Sequence, residues 1–326
     1  MGWPTAVRSC KKEFTMCKTR HSSNALLLAV AGIGFVAGAY SVLGPRNASG
    51  EQTSTAVADG LPDVMTFNAI IRDFKAENQT GGHPDFETYG HSDASMGLIA
   101  NTLDSEGKPS FADGYGYDGC SGFKNAAGQR ILPSFASQTL GDTVGTLTRS
   151  TAKQLTSADA FKQWYRDTAS VNLSKSVPLK LNRVPGSKRY VFDSAVDEPY
   201  KSRGGFYPIN GDLFGNYSTT GKNYHFTTEV ECRFVFNRAD NSVFNFTGDD
   251  DLWVFINNKL VMDLGGLHGK QAQSLEVNRV PALVDGQAYT LKIFHAERHT
   301  TDSNFRIETS LQLVPAALPP TSGLQD

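Results

Sequence analysis

Between Phe244 and His268 the chain reads FNFTGDDDLWVFINNKLVMDLGGLH, with two strongly β-prone runs on either side of three consecutive carboxylates. Residues 243–246 and 252–256 are rich in β-branched and aromatic side chains. Asn257-Asn258 marks a tight hairpin turn into a third run, Lys259–Leu264. Three adjacent like charges repel one another, and a hard cation relieves that repulsion by taking oxygen ligands. The segment points to a β domain that holds a divalent cation on a loop, and it contains no nucleophile–base pair.

The rest of the composition narrows the class. With 326 residues, 20% charged and 39% hydrophobic, the bulk of the chain is that of a globular protein of one large domain or two ordinary ones. The net charge of −2 hides an asymmetry. Arg8, Lys11, Lys12, Lys18 and Arg20 face only Glu13 in the first 24 residues. Removing these five basic groups and one acid leaves 26 basic against 32 acidic, a net of −6 over the remainder. A nucleic-acid partner calls for the opposite sign.

Residues 25–44 read ALLLAVAGIGFVAGAYSVLG, without a charge. A helix needs about 20 such residues to cross a bilayer. The basic leader before it places residues 1–24 in the cytoplasm and everything after the run outside. Residues 25–43 are expected to be an uncleaved signal anchor, with a signal peptide cut near Ala37-Gly-Ala39 as the alternative. Residues 44–62 are small, polar and bounded by Pro45 and Pro62, a flexible linker. Residues 63–314 form the exported domain, and residues 315–326 are expected to be a disordered tail. Cys120 and Cys232 are the two cysteines of the exported part, so one disulfide between them is expected, with two buried free thiols as the alternative.

From Asp63 to Thr151 the sequence is rich in Gly, Asp and Ser and should be irregular. Residues 157–168 (SADAFKQWYRDT) predict a helix capped by Ser157, with Phe161, Trp164 and Tyr165 on one face. After Pro178 the pattern changes to period two. Strands are expected at 188–192, 226–236, 243–246, 252–256, 259–264, 272–277, 288–295 and 304–313, which is the signature of a sandwich or barrel.

Seven motifs recur in order over this domain: Ile71-Arg-Asp-Phe74 with His83-Pro-Asp-Phe86; Phe161-Lys-Gln-Trp-Tyr-Arg-Asp167; Phe206-Tyr-Pro-Ile209; His225-Phe-Thr-Thr-Glu229; Phe246-Thr-Gly-Asp-Asp-Asp-Leu-Trp-Val-Phe-Ile-Asn257; Asp263-Leu-Gly-Gly-Leu-His268; and Ala296-Glu-Arg-His-Thr-Thr-Asp-Ser-Asn-Phe-Arg-Ile307. These resemble the fibro-slime family, whose C-terminal half is similar to the PA14 β-barrel module of adhesins, glycosidases and toxins. The resemblance implies an all-β-dominated exported domain, with a PA14-like barrel or sandwich over 188–314 behind a smaller irregular lobe. It also implies a role in adhesion or extracellular matrix, without a defined catalytic activity.

In sugar-binding PA14 adhesins two successive aspartates joined by a cis peptide bind Ca²⁺, which holds the sugar hydroxyls; by resemblance Asp249 and Asp250 are that pair. The alternative is a set of solvated Asx-turns. Ca²⁺ usually takes about six to eight oxygens, so a second loop must contribute. Asp302 and Asn304 are the candidates, with Asp263 beside Gly265-Gly266 a weaker one. His268 is a candidate for hydrogen bonding to a sugar hydroxyl, or simply a loop cap. His295, Glu297 and His299 alternate as strand neighbours on one face and so offer a possible metal triad, against a structural Glu297–Arg298 environment near the barrel end. Trp253, Phe244, Phe246, Phe255 and Phe294 read as core. Five Asn-x-Ser/Thr sequons, at Asn47, Asn78, Asn172, Asn216 and Asn245, are glycan acceptors only in a eukaryotic host. No G-x-S-x-G or H-E-x-x-H motif supports a hydrolase. The expected function is Ca²⁺-dependent binding of an extracellular glycan or matrix component. The alternatives are a purely structural surface protein and a metal-dependent carbohydrate-active enzyme.

Overall fold

The computed structural model describes residues 60–90 and 93–316. The basic leader, the apolar run at 25–43, nearly all of the linker and residues 317–326 lie outside the described residues. Among the described residues no helix is long and apolar enough to cross a membrane.

Alternating apolar residues build most of the fold. Along the first half of the described chain lie β1 (Val64–Phe74), β2 (Tyr117–Asp118), β3 (Thr148–Arg149), the helix α1 (Ala158–Lys162), β4 (Asn172–Arg183), β5 (Tyr190–Asp193) and the helix α2 (Tyr200–Arg203). Then follow β6 (Phe226–Val235), β7 (Val243–Gly248), β8 (Asp251–Ile256), β9 (Lys259–Leu264), β10 (Gln271–Glu276), β11 (Ala288–Glu297), β12 (Phe305–Thr309) and β13 (Val314–Pro315). The main sheet runs β10-β7-β12-β5-β4-β1-β6-β11-β8-β9, antiparallel at every step, with β13 added against β6. Its two ends, β9 and β10, lie side by side, so the sheet curls into a nearly closed barrel.

The expected eight strands all form, with ends shifted by a few residues. The expected barrel boundary at 188 does not match the sheet. β1 and β4 pair over eleven residues, from Val64↔Asn182 to Phe74↔Asn172, and both belong to the barrel. The alternation is masked in β1 because outward Arg72 and Phe74 are covered as well, and in β4 because residues 173–178 are largely uncovered on both faces. The expected helix at 157–168 is shorter. Ser157 does cap it, its hydroxyl accepting the Ala160 N–H at 3.1 Å. Beyond Lys162 the carbonyls that a helix would use have tertiary partners: Asn172 Nδ2 donates to Gln163 O and Arg166 O, and Thr227 Oγ1 donates to Trp164 O at 2.6 Å.

Two apolar cores result. Phe67, Leu179, Phe192, Val230, Phe244, Phe246, Val254 and Ile293 fill the barrel. A second core, made by Phe86, Leu98, Leu155, Phe161, Trp164, Trp253, Phe255 and Phe294, lies between the outer face of β8 and β11 and the lobe formed by residues 75–171. β8 is therefore buried on both faces, every residue from Asp251 to Ile256. The aromatic residues near the aspartate turn are core, as expected, but divided between two cores.

The seam at β9 and β10 is closed by side chains and by the lobe. Gln273 Oε1 accepts Asp263 N at 2.8 Å across it. Leu260 N donates to Asn101 O at 3.0 Å, and Ser274 N donates to Arg130 O at 2.8 Å, so segments of the lobe cover both strand edges. A cavity of about 650 Å³ remains between these covers, lined among others by Met96, Leu132, Phe135, Val261 and Asp263.

The disulfide expected between Cys120 and Cys232 is absent. Both are free and buried. Cys232 points into the barrel from β6 with its thiol toward Leu291 O, whereas Cys120 sits in a short 3-10 turn of the lobe with its thiol toward Ala94 O. Burial raises both thiol pKa values, so each behaves as a small apolar side chain.

Asp263 supplies a test of the seam. Its carboxylate accepts Gly97 N at 2.8 Å and Trp253 Nε1 at 3.0 Å, yet burial pushes its pKa up to about 7. In the unfolded chain the value is about 4. A raised folded value means that the stability contribution is complete below about pH 4 and is lost as pH rises through 7. The Asp263→Asn variant should lose this slope: its melting temperature, followed by circular dichroism from pH 4 to 8, should fall less than that of the wild type.

Candidate functional site

β7 ends at Gly248 and β8 begins at Asp251, so Asp249 and Asp250 alone make the connection. Their peptide bond is cis, as the resemblance implies. Gly248 is required by close approach, since a Cβ there would sit 2.3 Å from Asn304 O. The neighbouring loop holds Asp249 tightly: Oδ1 accepts Asn304 N at 2.5 Å and Oδ2 accepts Asn304 Nδ2 at 2.8 Å. His295 Nε2 donates to Asp249 O at 2.9 Å. Asp250 accepts His268 N at 3.2 Å and Arg298 N at 3.1 Å. Asp251 turns the other way, toward the lobe, accepting Gly266 N at 2.6 Å and Arg298 Nε at 2.5 Å.

Arg298 is completely buried. Its guanidinium lies 5.0 Å from the Trp164 ring centroid and its Nη1 donates to Gln154 O at 2.9 Å and Asp85 O at 3.3 Å. Asp85 in turn accepts Trp164 Nε1 at 3.1 Å and Thr156 N at 2.7 Å. The glycines at 265 and 266 do allow a close approach, as expected, but to the lobe. A Cβ on Gly265 would meet Ser95 O at 2.8 Å, and Gly266, at φ +84°, would meet Gln154 Oε1 at 3.0 Å.

Asp249 and Asp250, with His268, Lys270, Thr301 and Asp302 among the other walls, line a cleft of about 270 Å³. Burial raises the pKa of Asp249. Burial likewise pushes Asp250 up to about 8, opposed by the charge of Arg298 and reinforced by Asp251 and Asp249. Below the pair lies Glu297, fully buried, raised well above the usual carboxylate range by burial and then by Asp250 and Asp249. Its two oxygens make no hydrogen bond of ordinary geometry, and the nearby Ser303 hydroxyl donates to Phe206 O at 2.7 Å.

The other expected residues fall as follows. Asn304 and the aspartate pair are brought together, while exposed Asp302 lines the mouth of the cleft. Tyr224 holds this second loop, its hydroxyl donating to Thr301 O at 2.6 Å. His268 is buried with both ring nitrogens near main-chain carbonyls, Gly269 O at 2.9 Å and Leu264 O at 3.2 Å, the arrangement of a loop cap. Asp263 faces Gly97 and Trp253, not the cleft. His295, Glu297 and His299 form no triad, because β11 ends at Glu297. His295 instead packs among Phe206, Phe226, Phe246 and Phe305, with its pKa pushed down to about 4 by burial, and His299 binds Thr300 O.

The side-chain donors suited to a cation here are oxygens, which fit a hard ion such as Ca²⁺. Buried carboxylates without enough positive partners, Glu297 above all, are a further feature that such an ion relieves. Among the described residues no group of three His, Cys, Asp or Glu side chains is arranged to hold a metal ion by itself. An ion at Asp249 and Asp250 must therefore draw on Asn304, main-chain carbonyls and ligand or solvent oxygens. Sequence reasoning gave Glu297 and Arg298 only a structural place near the barrel end and missed that they, with Asp85, belong to this assembly. Their signal was a charged residue inside otherwise structural motifs, HPDF and AERH.

Removing one partner of a buried pair leaves the other charge uncompensated, at a cost of about 3–5 kcal/mol. Arg298→Ala should lose that much in urea unfolding, whereas Arg306→Ala, at partly exposed pairs with Glu308 and Asp193, should change stability by less than about 1 kcal/mol.

The PA14 domain model matches residues 206–317, the segment that carries β6 to β12 and both loops of the cleft. Three relatives from Dictyostelium discoideum are psiQ, psiR and psiP. Protein psiQ is 34% identical over 172 residues, 48% of this chain and 16% of the relative. Protein psiR is 31% identical over 257 residues, 76% and 21%. Protein psiP is 40% identical over 120 residues, 36% and 16%. This chain thus spans only about a fifth of the length of these relatives. Among solved structures, the PA14 domain of the MpAFP antifreeze protein aligns over 31% of this chain and 58% of that one, at 10% identity and a TM-score of 0.22. The chain is a homologue of the Dictyostelium psi proteins, of the fibro-slime and PA14-containing family, and its residues 206–317 are a PA14 domain.

Proposed function

We propose that the protein is an exported, membrane-anchored surface module that recognises an extracellular glycan or matrix component through Ca²⁺, without chemical turnover. The observation that carries this reading is the pair of buried carboxylates, Asp249 and Asp250, in the wall of a cleft within a PA14 domain. PA14 domains are often carbohydrate-binding. The ion sits at the two aspartates, with the loop at Asp302 and Asn304 completing the wall, and holds ligand hydroxyls that enter from solvent. The anchor is the apolar run at 25–43, and the acidic balance of the exported part disfavours nucleic acid.

A calcium titration followed by a glycan array tests the reading. Ca²⁺ at about 100 times its dissociation constant should stabilise the wild type by about 2.7 kcal/mol. Asp250→Ala should abolish both that stabilisation and glycan binding, because one carboxylate does not hold the ion. Equal glycan binding by chelator-treated wild type removes the role of calcium. Absence of binding in every condition favours a structural surface protein, and turnover of a sugar polymer favours an enzyme.

A further inference from the structure

The fold sorts the four asparagine sequons that lie among the described residues. Asn172 opens β4 and is buried, its amide nitrogen donating to Gln163 O at 3.1 Å and Arg166 O at 2.9 Å and its oxygen accepting Thr168 N at 3.0 Å. A substituent on that nitrogen is incompatible with the packed fold. Asn245 lies inside β7, paired with Ser274 of β10 on one side and Glu308 of β12 on the other, and its side-chain oxygen takes the Ser274 hydroxyl. Asn216 closes its own loop, accepting Gly211 N at 2.7 Å and donating to Gly221 O at 2.9 Å. Asn78 differs from Asn172 by its exposure and from Asn245 by lying outside a strand; Asn216 is exposed too, but its side chain holds two main-chain groups of its own loop. Asn78 is exposed in a surface turn of the lobe, as are the Gln79 and Thr80 that complete its sequon, and its amide nitrogen donates to the Tyr217 hydroxyl at 2.8 Å.

We infer that Asn78 is an acceptor for an asparagine-linked oligosaccharide; this rests on the export proposed above. In the transfer, Asn78 Nδ2 forms a bond to the anomeric carbon of a lipid-diphosphate-linked oligosaccharide. The bond from that carbon to the phosphate oxygen breaks, one amide proton is lost and the lipid diphosphate leaves. The product amide keeps one N–H, which is enough for the bond to Tyr217, so the glycan adds to the surface without unsettling the turn. The relatives belong to a eukaryote, the setting in which an exported chain meets such a donor.

The test uses the full chain expressed in a eukaryotic secretory cell, with protease protection to read its compartment and glycopeptide mass spectrometry to read each sequon. The Asn78 peptide should carry a glycan and the Asn172 peptide none. Asn78→Gln and Thr80→Ala should each remove the mass of one glycan. Thr80→Ala keeps the Asn78–Tyr217 bond, so a loss there reports the sequon and not the fold. A lumenal or secreted chain with Asn78 unmodified overturns this inference and leaves export standing. A chain that stays in the cytosol overturns both.

Discussion

The ion pair of Arg298 and Asp251 joins parts of the chain that are far apart in sequence, and much of the cleft depends on it. A buried pair of this kind adds little net stability compared with apolar packing, but it is intolerant of losing either member. Around it stand Gly266 on the second aspartate oxygen, the Asp85 and Gln154 carbonyls on one guanidinium nitrogen, and the Trp164 face against the plane, while Nη2 is buried without a hydrogen bond. The same residue that anchors Asp251 by its side chain holds Asp250 by its main-chain N–H. The lobe thereby sets the geometry of a loop that belongs to the barrel.

That arrangement explains why the lobe is needed. A nearly closed barrel whose outer face at β8 and β11 carries Trp253, Phe255 and Phe294 exposes a large apolar area unless it is covered. The lobe covers it with Phe86, Leu155, Phe161 and Trp164, and its main chain also occupies the edges of β9 and β10. The motifs containing Asp85, Trp164, Gly266 and Arg298 are thus parts of one interface, although they are separated by up to 213 residues.

At the cleft, burial and like charge act together. Asp249, Asp250 and Glu297 are all pushed toward the neutral form, and the nearby Arg298 guanidinium is committed to Asp251. A site so short of positive charge, and furnished with oxygen donors, suits a hard cation. The larger cavity at the seam lacks this concentration of carboxylates, so its greater volume does not make it the stronger functional candidate.

Period-two alternation after Pro178 determined the later strands, because a pleated strand with a buried face imposes that pattern directly. The DDD turn likewise marked the candidate site from sequence alone, since adjacent carboxylates repel one another and a hard cation relieves that repulsion. Other features were decided only by tertiary structure. β1 and β4 join the barrel through partners about a hundred residues apart, and the early end of α1 does not follow from its helical periodicity, because Asn172 and Thr227 take the carbonyls that would continue it. Two cysteines in one compartment suggested a disulfide, but the folding of β6 into the barrel and of residue 120 into the lobe left two separate thiols. Composition and spacing determined which side chains were available; the packing of the lobe against the barrel decided which of them meet, because contacts over such separations exist only once both surfaces are formed.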